Sequence, residues 1–190
     1  MVHQVSIDNG VSRWQSCGVV VDARIEKRGK TANVAPDVRG PQWVVVTAQL
    51  PERPEITVRV RADAVGGIYL VTNVTMEAEP GHGIATEDLR GVPLRALLRR
   101  PLRSLLSTIA LKHRLLARPD EDEGTRMHRL VALEYRIARA VGDAPTQQVQ
   151  QAFHVSRATA ARRVSSARVA GFLGADEVGA AGGARSDWDD

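Results

Sequence analysis

Residues 55–62, EITVRVRA, alternate without a break, with Ile56, Val58 and Val60 on one side and Thr57, Arg59 and Arg61 on the other. Successive side chains of a strand point to opposite faces, so this period of two predicts a strand with one dry face and one wet. Such a strand needs neighbours to be stable. Two are at hand, WVVVTAQL (43–50) and GIYLVTNVTM (67–76), set off by the turn-like PERP and DAVGG. Three consecutive strands on short turns predict an antiparallel meander. Upstream there is one further strand-like run, Cys17 to Ile25, while Gly10, Gly29, Pro36 and Gly40 break up the rest of residues 1–40.

After the meander the period changes. Thr86 is placed to cap a short helix that has Glu87 and Asp88 in its first turn, where carboxylates suit the helix dipole. Pro93 and Pro101 fit poorly inside one long helix, so a short helix or two turns should precede a helix from about Leu102 to Ala117. Its apolar stripe is Leu102, Leu105, Ile109 and Leu116, with Arg103, Lys112 and Arg114 off that stripe. The acidic RPDEDEG (118–124) reads as a linker. Beyond it, TRMHRLVALEYRIARAVG is an amphipathic helix with Met127, Leu130, Leu133, Ile137 and Val141 inward and Gly142 as its stop. The last stretch is acidic, rich in Gly and Ala, and has little to bury, so a disordered tail is expected over 175–190.

The fold class expected is therefore α+β, with a β-rich N-terminal domain over 1–84, helical connector and linker over 85–124, and a helical domain over 125–174. Charge divides along similar lines. Residues 88–168 hold 16 Lys plus Arg against 7 Asp plus Glu, whereas the remainder holds 10 against 15. A basic half joined to a mildly acidic one points to a polyanion partner. The longest apolar run is far short of a membrane span, and no signal-peptide pattern opens the chain, so a cytoplasmic protein with no membrane partner is expected. Cys17 is the only cysteine, which excludes an internal disulfide and any cysteine-rich zinc site. Histidines 3, 82, 113, 128 and 154 lack metal-ligand spacing, and no catalytic constellation or phosphate loop stands out. Neither an enzyme nor a cofactor is expected.

The chemistry is concentrated in APTQQVQQAFHVSRATAARRVSSARVAGFLG (144–174). Thr146 is a candidate cap for a short helix through Phe153, with Pro145 fixing its entry and Val149, Ala152 and Phe153 on its apolar side. His154 and Val155 make a turn, and Ser156 is placed to cap a second helix. There Ala160, Val164 and Ala167 recur at helical spacing and should face inward. That leaves Arg157, Ala158, Ala161, Arg162 and Ser165 outward. Small residues let a helix approach a groove closely, and arginine can bond bidentately to guanine.

Thr146, Val149, Phe153, Val155, Ser156, Arg157, Thr159, Ala160 and Val164 fall in the pattern T..V...F.VSR.TA...V. This stretch, over about 126–174, resembles the helix-turn-helix DNA-binding domains of bacterial and phage regulators. It departs from them at Gln150, where the family prefers Ala, and at His154, where Gly is usual. The resemblance implies that the helix starting near Arg157 enters the major groove while Ser156 and Thr146 contact phosphates. The whole chain is also similar to proteins of actinobacteria and their phages in which a β-rich part precedes such a motif.

Candidate base contacts are then Arg157, Ala158, Arg162 and Ser165. Candidate phosphate contacts are Thr146, Ser156, Arg163 and Arg168. The expectation is a sequence-specific double-stranded DNA-binding protein, a transcriptional regulator and a repressor before an activator, working as a homodimer. Two alternatives stand beside it. One is an accessory DNA-binding factor of a mobile element, acting in recombination, replication or partition. The other is an interaction protein whose β-region holds a protein partner and whose basic helical hairpin is only solvated.

Overall fold

The computed structural model describes residues 5–8, 11–16, 19–49, 55–78, 80–81, 83–115, 121–174 and 177. The described residues form six strands followed by five helices. The strands are β1 (Val5–Asp8), β2 (Val11–Ser16), β3 (Val19–Ala35), β4 (Val38–Gln49), β5 (Glu55–Asp63) and β6 (Ile68–Glu77). The helices are α1 (Thr86–Arg90), α2 (Leu94–Leu115), α3 (Glu123–Ala140), α4 (Pro145–Ala152) and α5 (Arg157–Val169). This is a mixed α+β fold in which an N-terminal antiparallel sheet precedes the helices.

The strands lie in chain order, each antiparallel to the next, as short turns dictate. Alternation in β5 places its side chains as expected: Ile56, Val58 and Val60 are fully buried, Thr57 is half-buried, and Arg59 and Arg61 are exposed. Cross-strand pairs Val46–Val58 and Val44–Val60 carry the same dry face into β4.

Strand formation extends further upstream than residues 1–40 suggest. β3 runs straight through Gly29, which sits at positive φ where the β3–β4 register shifts between Arg28 and Thr31. The break is thus a bulge and not an end. Pro36 and Asp37 then form a tight hairpin turn, with Asp37 at φ 59°.

The dry face of the sheet is covered by α2 and α3. Val34, Val44, Val46, Ile56, Val58 and Val60 form one core with Leu97, Leu102 and Leu106 of α2 and Leu133 and Ile137 of α3. Here α2 corrects the reading of residues 93–117, because it begins at Leu94 and contains Pro101. An interior proline costs a helix about 3 kcal/mol. Pro101 is itself fully buried, and Leu97, Leu98, Leu102, Leu105 and Leu106 around it are all in the core, so burial on both sides of the proline outweighs the lost hydrogen bond. The side chains of Ile109 and Leu116 lie outside the described residues.

Two helix starts also differ from expectation. Ala85, not Thr86, is the N-cap of α1, and Asp88 reaches back to accept the Ala85 N–H at 2.9 Å. α3 begins inside the acidic stretch read as a linker. Asp122 caps it, accepting from the Thr125 hydroxyl and from the Thr125 N–H at 3.0 Å, and these bonds hold the Asp122 carboxyl below its usual range. Glu121 pairs bidentately with Arg129 in the second turn of the helix.

α3 is buried on two sides. Leu133 and Ile137 face the sheet, while Val131, Ala132 and Tyr135 join Val149 of α4, Ala160, Val164 and Ala167 of α5, and Leu173 in a second core. Buried Arg136 ties this junction together. Its guanidinium holds Glu177 at 2.7 and 3.0 Å, the Phe172 carbonyl at 2.7 Å and Asp37 of the hairpin turn at 3.4 Å. Apart from Glu177, the tail expected over 175–190 lies outside the described residues.

Candidate nucleic-acid interface

α4 and α5 are joined by four residues, Phe153 to Ser156, and the turn is fixed by local chemistry. Phe153 N–H bonds to the Val149 carbonyl at 3.1 Å, and Val155 N–H reaches back to Gln150 at 3.1 Å. That second bond requires the intervening residue to be left-handed, the Schellman way of ending a helix. His154 occupies that position at φ 52°. Glycine does so without steric cost, whereas other residues pay about 1–2 kcal/mol, partly offset by glycine's greater chain entropy. His154→Gly should therefore raise stability by about 0.5 kcal/mol. A lower melting temperature for the variant, read by circular dichroism, would count against this account of the turn.

Ser156 caps α5, as its position predicts: its Oγ accepts the Thr159 N–H at 3.1 Å and lies 3.0 Å from the Thr159 hydroxyl. α4 is different. Ala144 is its N-cap and Pro145 its first helical residue, so Thr146, half-buried, lies inside the helix and does not cap it.

α5 then presents two faces. Ala160 and Ala167 are fully buried and Val164 nearly so. The two alanines let α5 lie close against α3, and a hydrogen bond between His128 and Ser166, at 2.8 Å, spans the same junction. Gln150 is half-buried, and apolar contact between α4 and α5 is carried by Val149, Phe153, Ala160 and Val164.

The opposite face carries Arg157, Ala158, Ala161, Arg162 and Ser165, all exposed. Arg157 makes no side-chain hydrogen bond or ion pair with the described residues. Among the described residues, the Arg162 side chain hydrogen-bonds only the Thr159 hydroxyl, at 3.3 Å. Between Ala144 and Gly174 the sequence has four arginines and no acidic residue, so nothing in this segment neutralises that face.

All four candidate base contacts thus share one exposed surface. The four candidate phosphate contacts are more dispersed. Ser156 is exposed at the head of α5, but its hydroxyl serves as the cap. Arg163 is half-buried and stacks over Phe153, 5.4 Å from the ring centre. Arg168 turns inward: it lies 5.3 Å over Tyr135, donates to the Tyr135 hydroxyl at 2.9 Å and reaches the Glu177 carbonyl at 3.3 Å. Its guanidinium is engaged in holding α5 to α3.

A second basic surface lies on α2. Arg95 donates to the Gly142 carbonyl at 2.6 Å, and Arg99 and Arg103 both meet Asp143, whose side chain is wholly buried. Sequence alone marks Arg103 only as lying off the apolar stripe of its helix. Spacing of one turn between Arg95, Arg99 and Arg103 is the local signal, and its partners lie 40 or more residues away.

A family model described as a family of unknown function (DUF6214) matches residues 42–178. The chain belongs to the DUF6214 family. The span matched to DUF6214 runs from within β4 through α5 and past Glu177, so it takes in the whole second core and the Arg136–Glu177 pair, while Val34, Ala35 and Val38 of the first core and Asp37 lie before it. No curated protein and no solved structure matches the chain. Among the described residues no helix is long and apolar enough to cross a membrane.

Proposed function

We propose that the chain binds double-stranded DNA with sequence preference through α5, as a transcriptional regulator, with repression the commoner mode for such proteins. The observation that carries this reading is the outward face of α5. Two arginines stand there among alanines and serine, on a helix whose entry is set by a tight turn and a serine cap. Small side chains permit close approach to a groove, and Arg157 lies at the N-terminal end, the part that usually reaches base edges.

One such helix covers only a few base pairs, so a pair of copies on a two-fold site is the economical arrangement. The edge of the sheet supports that pairing. β6 is the last strand in the sheet order, exposes Leu70, Val71 and Val74, and carries no charge from Ile68 to Met76. Edge strands are commonly guarded by charge, and an uncharged one can pair with its own copy without opposing like charges.

Fluorescence anisotropy tests the reading, with DNA from upstream of the chain's own gene against a shuffled duplex, at low and near-physiological salt. Tight binding to the native duplex that survives physiological salt, with two chains per site, is expected. Arg162→Ala should narrow the gap between native and shuffled duplex by about 1–3 kcal/mol. Equal loss on every sequence would remove Arg162 from base reading. No binding to either duplex at low salt would overturn the proposal.

A further inference from the structure

We infer that the cleft between α2 and α4 is a phosphate-binding site. It has a volume of about 500 Å³ and is lined by Arg99, Arg100 and Arg103 from α2 and by Gln148 and Gln151 from α4. No residue of α5 lines the cleft, so this site and DNA binding through α5 can fail independently.

Two of these guanidiniums, those of Arg99 and Arg103, meet one carboxylate. Asp143 sits wholly buried beneath Arg99 and Arg103, meeting Nε of the first and Nη1 of the second. Each guanidinium carries five N–H donors; Arg103 gives one to Asp143 at 3.0 Å, and Arg99 stands against the other carboxylate oxygen as an ion pair. The arginines remain open above it, with 48% of the Arg99 side chain and 30% of the Arg103 side chain exposed. Asp143 thus acts as a buried anchor that aims two arginine forks into the cleft. This fixes their geometry before a ligand arrives and lowers the entropy cost of binding.

Gln148 supplies a further feature. It is only 4% exposed, yet its side-chain amide makes no hydrogen bond to a described residue. Gln148 lines the cleft, so its amide N–H groups are placed to donate to a ligand oxygen there. Arginine forks bond bidentately to phosphate, and amide N–H groups can take the remaining oxygens. The phosphate could belong to a DNA backbone lying across α2 and α4, or to a free phosphorylated small molecule.

Titration calorimetry of the full chain with sodium pyrophosphate tests the site, beside anisotropy of a duplex over a range of salt. Gln151→Glu is the main variant, because Gln151 is exposed and the change adds a carboxylate at the rim without removing an arginine. Arg100→Gln is the second. Each should weaken pyrophosphate binding by about fivefold, while Ala161→Glu on α5 should leave it unchanged. If DNA is the phosphate source, Gln151→Glu should also reduce the slope of log affinity against log salt by about 1. An unchanged slope with weakened pyrophosphate binding would identify a free phosphorylated ligand. Pyrophosphate binding and duplex salt dependence both indifferent to Gln151→Glu and Arg100→Gln would overturn the site. A chain that binds pyrophosphate but no duplex would sink the DNA reading and leave this one standing.

Discussion

Arg136→Ala should destabilise the protein by about 3–5 kcal/mol, read from urea unfolding at neutral pH. Arg136 is 7% exposed and Glu177 8%, so this ion pair is largely withdrawn from water. Removing one partner of such a pair leaves the other charge buried without compensation, which costs far more than the pair's net worth. The same change frees the Phe172 carbonyl and unties Asp37, so the β3–β4 turn, α3 and the segment after α5 lose their common anchor. A loss below about 1 kcal/mol would mean that water reaches the pair freely.

The acid side of the stability curve gives a second readout. Burial pushes the Glu177 carboxyl up, but hydrogen bonds from Arg136 and the Gly174 N–H, together with the charges of Arg136 and Arg139, outweigh it and hold the group below its usual range. A carboxyl lowered in the folded state stabilises the fold above its unfolded pKa, and that contribution is lost as pH falls through its folded pKa. Without Arg136 the largest lowering influence is gone and burial remains. The contribution of this group should then shrink or change sign, so the variant should lose less stability on acidification than the parent.

The sequence was most legible where the controlling physics is local. α5 is set by Ser156, by the spacing of Ala160, Val164 and Ala167, and by a turn of four residues, and each is readable in place. β5 was equally plain, since alternation alone assigns its faces. β3 was not, because Gly29 reads as a break unless the partner strand that accommodates the bulge is known. α2 was misread for a related reason: Pro101 carries a local cost, whereas the leucines that outweigh it count only once a sheet lies beneath them. The buried charges were the least legible. Arg136 sits in a helix that scans as amphipathic, and its partners lie 41 and 99 residues away. Arg168, which the sequence marks as a candidate phosphate contact, instead lies over Tyr135 and donates to its hydroxyl, a partner 33 residues away.

Ala161→Glu should abolish measurable DNA binding while leaving the fold intact. Ala161 is exposed in the middle of the outward face of α5, one turn after Arg157 and next to Arg162. Glutamate is a good helix former, so the helix should persist and circular dichroism should match the parent. The new carboxylate acts twice. It brings a negative charge against the phosphates and base edges that the proposal sets opposite this face, and like charges in an interface cost several kcal/mol. It also draws the Arg157 guanidinium one turn back along the helix, taking it from the groove. An affinity loss of about a hundredfold or more is expected on native and shuffled duplexes alike, a pattern distinct from the relaxed preference of Arg162→Ala. Val65→Glu supplies the control for net charge, since Val65 is 98% exposed in the turn between β5 and β6. If both variants weaken binding equally, DNA responds only to the overall charge of the chain. Parent-like affinity in Ala161→Glu, with the fold intact, would show that the face of α5 does not meet DNA.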